Sequence, residues 1–165
     1  YEFKLCRLDV AVKKVVKKFA PQFIGRHISL HIEQIEDSVC TDSKWLGFII
    51  EQLISNAVKY SKDGGSVRIY TLHGKGDIKK NSKDDSLQLV IEDTGIGINE
   101  EDIPRIMERG FTGYNGRLDR KSSGIGLYLC RKAADRLGFV ITFDASYKNG
   151  TRVVIDMTQR YTKHE

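Results

Sequence analysis

Val90-Ile91-Glu92-Asp93-Thr94-Gly95-Ile96-Gly97-Ile98 begins as an apolar run and ends on a carboxylate followed by two regularly spaced glycines. The run reads as a buried strand, and the glycines as a tight turn at its end. This arrangement suits a purine. A fixed carboxylate accepts a hydrogen bond from an exocyclic amine, and glycines let the backbone approach a flat ring with no Cβ in the way. Asp93 favours adenine, whose N6 is a donor, over guanine, whose O6 would meet the carboxylate as a second acceptor. Taken alone, a strand ending in an ordinary Asp-Gly turn accounts for the stretch equally well.

Upstream of it, Leu87, Leu89 and Ile91 belong to the same strand, and 74–86 reads as an exposed loop of Gly, Lys, Asp and Asn. Asp63-Gly64-Gly65-Ser66 is a turn into a further strand at Val67, Ile69 and Thr71. Thr41-Asp42-Ser43 is a capping sequence for a helix over 44–61. Its apolar face is Trp45, Ile49, Leu53, Ala57 and Tyr60, widened by Ile50, Ile54 and Val58. On the same helix Gln52, Asn56 and Lys59 follow an i, i+4, i+7 spacing and share one face. Such a row is ordinary on a solvent face. In a cleft, Asn56 suits an oxygen-coordinated Mg²⁺ and Lys59 a phosphate. Nearer the start, Leu8, Val12, Val15, Val16, Phe19 and Phe23 predict an amphipathic helix over 8–23, with Asp9 at its N-terminus. Ile28, Leu30, Ile32 and Ile35 predict a half-buried strand after it.

Downstream, 99–107 predicts a short helix holding Ile103, Ile106 and Met107. The stretch 108–123 is rich in Gly and in Arg109, Arg117, Arg120 and Lys121, a basic lid suited to closing over phosphates. Ser123-Gly124-Ile125-Gly126-Leu127 then starts a helix carrying Leu129, Ala133, Ala134 and Leu137 and stopping at Gly138. Glycines at a helix N-terminus leave free N–H groups that can cradle phosphate. A terminal hairpin follows over 140–157, with Asn149-Gly150 as its type I' turn.

Composition narrows the class. The 165 residues suffice for one domain with a sizeable core, taken as 1–158 with a tail over 159–165. At 40% hydrophobic and 30% charged residues, the chain is neither disordered nor disulfide-stapled. The apolar run near Trp45 is interrupted by Gly47 and Glu51, so it does not read as a membrane span. The chain opens with Tyr1 rather than Met, which suggests a segment of a longer protein. Much of the +5 net charge sits in Lys13, Lys14, Lys17 and Lys18, read as a solvated helix face rather than a nucleic-acid surface. Cys6, Cys40 and Cys130 lack the spacing of a disulfide framework or zinc site, and His27 and His31 lack a ligand cluster.

Asn56 with Lys59, Asp93-x-Gly95-x-Gly97, a basic Gly-rich lid, Gly124-x-Gly126 and Gly150-Thr151 occur in that order. Together they resemble the N, G1, G2 and G3 boxes of the GHKL ATPase superfamily. Within it, Glu51-Gln52-Leu53-Ile54-Ser55-Asn56-Ala57-Val58-Lys59-Tyr60-Ser61 looks most like the N box of bacterial sensor histidine kinases. The layout of Trp45 to Gln52, of Gly110-Phe111-Thr112-Gly113-Tyr114-Asn115-Gly116-Arg117 and of Gly124-Ile125-Gly126-Leu127-Tyr128-Leu129 is similar to the subgroup that senses antimicrobial peptides such as bacitracin.

The resemblance implies a Bergerat fold of the α+β class: a two-layer α/β sandwich, with a mixed sheet of about five strands covered on one face by about three helices. It implies ATP and Mg²⁺ as ligands. It gives Asn56 the Mg²⁺, Lys59 a phosphate, Tyr60 the adenine face and Asp93 the adenine amine. Gly95, Gly97 and Ile98 form the nucleotide-facing turn; Thr112 and Gly113 lie in the lid; Ser123, Gly124, Ile125, Gly126 and Leu127 close over the phosphates. Thr151 supports Asp93 directly or through water. Two departures stand out. Gln52 occupies the position where hydrolytic relatives carry a glutamate, and an amide cannot take a proton from water, which favours phosphoryl transfer over hydrolysis. Met107 stands at the usual place of a phenylalanine, with Phe111 expected to take over. No histidine lies in a phosphoacceptor context. The implied partners are therefore a histidine-bearing dimerisation domain of the same protein and a response regulator, in a membrane-bound homodimeric parent with this domain in the cytoplasm. The alternatives are an ATP-hydrolysing module, or a degenerate Bergerat fold serving as an interaction domain.

Overall fold

Alternate residues of a strand face opposite sides of a sheet, so each strand's apolar row sets which face it buries. The computed structural model describes residues 1–74, 86–111 and 125–158. In chain order its elements are β1 (Lys4–Arg7), α1 (Leu8–Gly25), β2 (Ser29–Ile32), β3 (Ser38–Thr41), α2 (Ser43–Tyr60), β4 (Ser66–His73), β5 (Leu87–Asp93), a 3₁₀ turn over Glu100–Arg105, α3 (Ile125–Leu137), β6 (Val140–Phe143) and β7 (Thr151–Asp156). A five-stranded sheet has the order β2-β4-β5-β7-β6, and β1 and β3 form a separate two-stranded ribbon. β2 runs parallel to β4 and the other neighbours are antiparallel. Register places Ile69 beside Ile91, Ile91 beside Val153 and Val153 beside Phe143, so these rows make one continuous apolar face.

The three α-helices cover that face. α2 lies against α1, α3 and β5, and Leu46, Ile49, Ile50, Leu53, Ile54, Ala57 and Val58 along it are all buried. This is the expected two-layer sandwich on a mixed sheet. The opposite face of the sheet is polar: Tyr70 hydroxyl donates to Glu92, Arg152 bridges Glu92 (3.1 Å) and Asp144 (3.0 Å), and Arg68 pairs with Glu33. Burial and the bond to Glu92 push the Tyr70 phenol up to about 12, so it stays a donor.

Several expectations are corrected. The strand at 28–35 ends at Ile32, because the chain then leaves the sheet to form β3, whose Val39 pairs with Cys6 of the unanticipated β1. β1 is too short to show alternation: Cys6 is buried while Leu5 is exposed. The helix after Asn99 is a 3₁₀ turn, since Pro104 has no N–H and the chain closes i to i+3 bonds such as Asp102 N–H to Asn99 O. Leu129 does not enter the core; it is 42% exposed at the rim of the buried stripe of α3. Trp45 and Tyr60 are only half-buried, Trp45 stacking on Tyr1 at 5.4 Å. Of the two roles open to Asp9, capping α1 or favouring its N-terminus, it has the second: it lies in the first turn and pairs with Arg7. Asn149-Gly150 is not a type I' turn. Asn149 lacks the positive φ that turn requires, and Asp144 organises the loop by accepting from Ser146 N–H at 2.9 Å. Of the loop expected over 74–86 and the lid expected over 108–123, residues 75–85 and 112–123 fall outside the described residues, as does the tail over 159–165.

Asp42 does cap α2. Its Oδ1 accepts from Lys44 and Trp45 N–H, and its Oδ2 from Glu2 N–H at 2.7 Å. Those bonds hold its carboxyl below the usual range, the Glu2 bond first. Asp42→Ala is expected to lower stability by about 1–2 kcal/mol in urea denaturation at pH 7. The difference should shrink as pH falls below about 4, where the unfolded carboxylate takes its proton first, and be lost as pH falls through the lower native value.

Candidate nucleotide site

The alternation of β5 that buries Leu89 and Ile91 also turns Asp93 to the helix side, at the strand's end, between Val67 and Thr151 of the neighbouring strands. Asp93 is 4% exposed. Gly95 N–H donates to Oδ1 at 2.8 Å and Thr151 N–H at 3.2 Å. Among the described residues Oδ2 accepts no hydrogen bond, and no cation pairs with the group. Burial therefore outweighs the two N–H donors and pushes the carboxyl up to about 6. The group of Thr151 that bonds Asp93 is its backbone N–H.

Close backbone approach explains the glycines around it. A Cβ on Gly95 would run into the Tyr60 carbonyl, which also accepts Ile96 N–H at 3.1 Å. One on Gly150 would run into the Asp93 carbonyl. Gly97, at φ 75°, would need a left-handed side-chain residue, 3.1 Å from Gly150 O. The end of α2, the turn after β5 and the β6–β7 loop thus interlock around Asp93. Thr94 adds a bond that sequence reasoning missed: its Oγ1 accepts Ser66 N–H at 2.9 Å, tying the turn to the start of β4. A lone Thr in a turn gives no signal of that role.

Gln52, Asn56 and Lys59 are all half-buried on α2, the position a cleft wall would have. Gly126 explains how α3 approaches this wall, because a Cβ there would overlap the Gln52 side-chain oxygen. Ile125 and Leu127 beside it are half-buried, and Leu127 and Ile98 both pack against the core. Lys59 Nζ lies 5.4 Å from the Tyr60 ring centre. Glu51 is turned away from this wall and pairs with Lys18 of α1 at 3.3 Å. Met107 packs against the core itself, whereas Phe111 lies under the Arg105 guanidinium at 4.7 Å, so Phe111 does not take over that place. Thr112, Gly113, Ser123 and Gly124 lie outside the described residues. The wall therefore offers an amide pair, an ammonium, an apolar floor and one buried acceptor at its end.

A sequence profile for "Histidine kinase-, DNA gyrase B-, and HSP90-like ATPase" matches residues 41–160. The chain is 36% identical over 145 residues to sensor protein BceS of Bacillus subtilis, covering 88% of this chain and 40% of that protein. It is 38% identical over 120 residues to sensor protein kinase GraS of Staphylococcus aureus, covering 73% of this chain and 32% of that protein. The chain thus spans well under half the length of these relatives. Among solved structures it superposes on a mycobacterial sensor histidine kinase, MprB, with a TM-score of 0.77 and 20% identity, over 99% of this chain and 100% of that one. The catalytic domain of histidine kinase ThkA gives a TM-score of 0.76 at 19% identity, over 98% and 100%. At those identities the structural matches speak to the fold.

The raised Asp93 carboxyl makes stability depend on pH. With the native group at about 6 and the unfolded one near 4, the proton stabilises the native state by about 3 kcal/mol, fully below about pH 4 and lost as pH rises through about 6. Asp93→Asn is expected to remove that slope and to raise stability at pH 8 in urea denaturation; a fall at pH 8 would contradict the account. The glycines separate by what they meet. Gly95→Ala faces a backbone carbonyl and should cost about 3 kcal/mol or more, while Gly126→Ala displaces only a flexible amide and should stay within about 1 kcal/mol in the same measurement.

Proposed function

The chain belongs to the histidine kinase-, DNA gyrase B- and HSP90-like ATPase family, and we propose that it binds Mg-ATP and donates the γ-phosphate to a histidine on a separate dimerisation domain, from which it passes to a response regulator. One observation carries the nucleotide part. Asp93 is a buried carboxylate with one oxygen held by two backbone N–H groups and the other bonded to no described residue, an acceptor set for an adenine amine.

Each other group has a role in this reading. Gly95 and Gly97 admit the ring to the turn, Ile98 and Tyr60 bound its faces, and Thr151 holds Asp93 in place. Lys59 neutralises phosphate charge, and Gly126 lets the start of α3 come close to the wall of α2. Asn56 fits Mg²⁺ as a single neutral oxygen donor. Among the described residues no cluster of His, Cys, Asp or Glu could hold a metal, so the ion would arrive with the phosphates, as Mg²⁺ in phosphoryl-transfer sites does. When bound it supplies charge neutralisation in the transfer. Gln52 beside Gly126 gives water no proton acceptor, and Glu51 is engaged by Lys18; both favour transfer to a protein group over hydrolysis. No helix of the described residues is long and apolar enough to cross a membrane. In this reading the domain acts at the cytoplasmic side of a membrane-bound homodimer whose other parts supply the histidine and its neighbouring base.

Mixing the chain with γ-labelled Mg-ATP and the isolated dimerisation hairpin of the parent protein should yield acid-labile label on the hairpin histidine. Asp93→Asn should abolish labelling, and free phosphate should appear far more slowly than label. Absence of label under saturating Mg-ATP, or phosphate release outpacing it, would overturn the transfer reading.

A further inference from the structure

We infer that Arg26, in the turn between α1 and β2, is a positioning residue for the nucleotide site: it clamps the C-terminal end of α2 on either side of Lys59 and Tyr60, and opposes the negative end of that helix next to the bound phosphates. The inference rests on the proposed ATP site and deepens it.

The last carbonyls of a helix have no partner within it and must be satisfied from outside. At the end of α2, Ser61 N–H and Ser61 hydroxyl both donate to Ala57 O, at 3.1 Å and 2.5 Å. Ile96 N–H, from the turn that follows Asp93, donates to Tyr60 O at 3.1 Å. Further bonds come from Arg26. Its Nη1 donates to Val58 O, its Nη2 to Ser61 O at 2.5 Å, and its Nε to Asp63 Oδ1 at 2.8 Å. The two carbonyls held by the guanidinium bracket Lys59 and Tyr60, the residues assigned to phosphate and adenine.

The backbone is shaped to deliver this side chain. His27 has φ 54°, a left-handed conformation that is unfavourable for a residue with a side chain, and it lets the chain reverse directly after Arg26. Arg26 O then accepts Gly64 N–H at 3.0 Å, and Gly65 O accepts Ser29 N–H at 2.9 Å, so the α1–β2 turn is stapled to the α2–β4 turn. The Arg26 side chain is 33% exposed, so its contacts are partly shielded from solvent.

A planar fork with fixed donors suits this place better than an ammonium. It reaches two carbonyls and a carboxylate at once, and a fixed positive charge offsets the partial negative charge at a helix C-terminus. Polyphosphate lying beside that terminus would otherwise be repelled. Adenosine, without phosphates, should feel the orientation of Tyr60 but not this charge.

The test compares Arg26→Met and Arg26→Lys with the wild type by calorimetric titration of Mg-ATP and of adenosine, with nucleotide-free melting in parallel. Wild type must first bind Mg-ATP; its failure would overturn the nucleotide reading and this inference with it, whereas failure of the inference alone shows as wild-type binding that the Arg26 variants leave unchanged. For Arg26→Met, Mg-ATP affinity is expected to fall about tenfold and adenosine affinity by less than about threefold, and in the hairpin-labelling assay KM for Mg-ATP should rise more than the saturated rate falls. Arg26→Lys should recover part of the difference between the two ligands, because it keeps the charge and loses the fork. A lower melting temperature with unchanged Mg-ATP affinity, at a temperature where the variant is folded, would reduce Arg26 to a structural cap and overturn the inference. If Arg26→Met does not fold, Arg26→Lys decides alone: unchanged Mg-ATP affinity overturns it.

Discussion

A carboxylate held away from water, with no counter-charge among the described residues, is the constraint that the rest of this domain serves. Asp93 keeps its place because two backbone N–H groups converge on one of its oxygens. Those donors come from different segments, the turn after β5 and the first residue of β7, so the carboxylate is fixed only when both are in register. The arrangement opposes stability and favours binding. Desolvation that raises the proton affinity of the group also strengthens any hydrogen bond the ionised form accepts from a ligand.

Around it, packing is arranged by what side chains leave out. Gly95 admits the Tyr60 carbonyl, Gly150 the Asp93 carbonyl and Gly126 the Gln52 amide, so a helix end, a strand end, a hairpin loop and a helix start meet at one point. A larger residue at any of these would move a backbone segment or a cleft-lining side chain rather than fill a void. α2 is the common partner. Its buried stripe contacts the sheet and both other helices, Asp42 fixes one end, and Ile96 and Arg26 fix the other. A helix tied at both ends holds an amide, a second amide and an ammonium in line without relying on flexible loops.

The identity of one residue in that line bears on the chemistry. Gln52 occupies the wall beside Asn56 and touches the start of α3, where a carboxylate could accept a proton from water and an amide cannot. The nearest carboxylate along the helix, Glu51, faces α1 and is neutralised by Lys18. In the proposed reading both groups leave a γ-phosphate to be attacked by a nucleophile from elsewhere, as a kinase whose acceptor lies on another domain would require.

How much of this was legible in the residues follows from the range of the forces involved. The periodicity of the long helices and of β4 and β5, the Asp42 cap and the row on α2 are local patterns, written within a few residues, and each appears where the chain alone predicts it. Family resemblance joined those patterns into one site. The β1–β3 ribbon left no readable signal because short strands show no alternation, and the 3₁₀ turn depended on how Pro104 competes with helix bonding. The hairpin loop followed Asp144 rather than Asn149-Gly150 because side-chain bonds to the backbone outweighed turn propensity. The grip of Arg26 on α2, the Thr94 bond to Ser66 and the sharing of Asp93 between two segments were decided by tertiary structure alone. Each is a hydrogen bond between groups far apart in the chain, and only the packed sheet and helices bring their donors within reach.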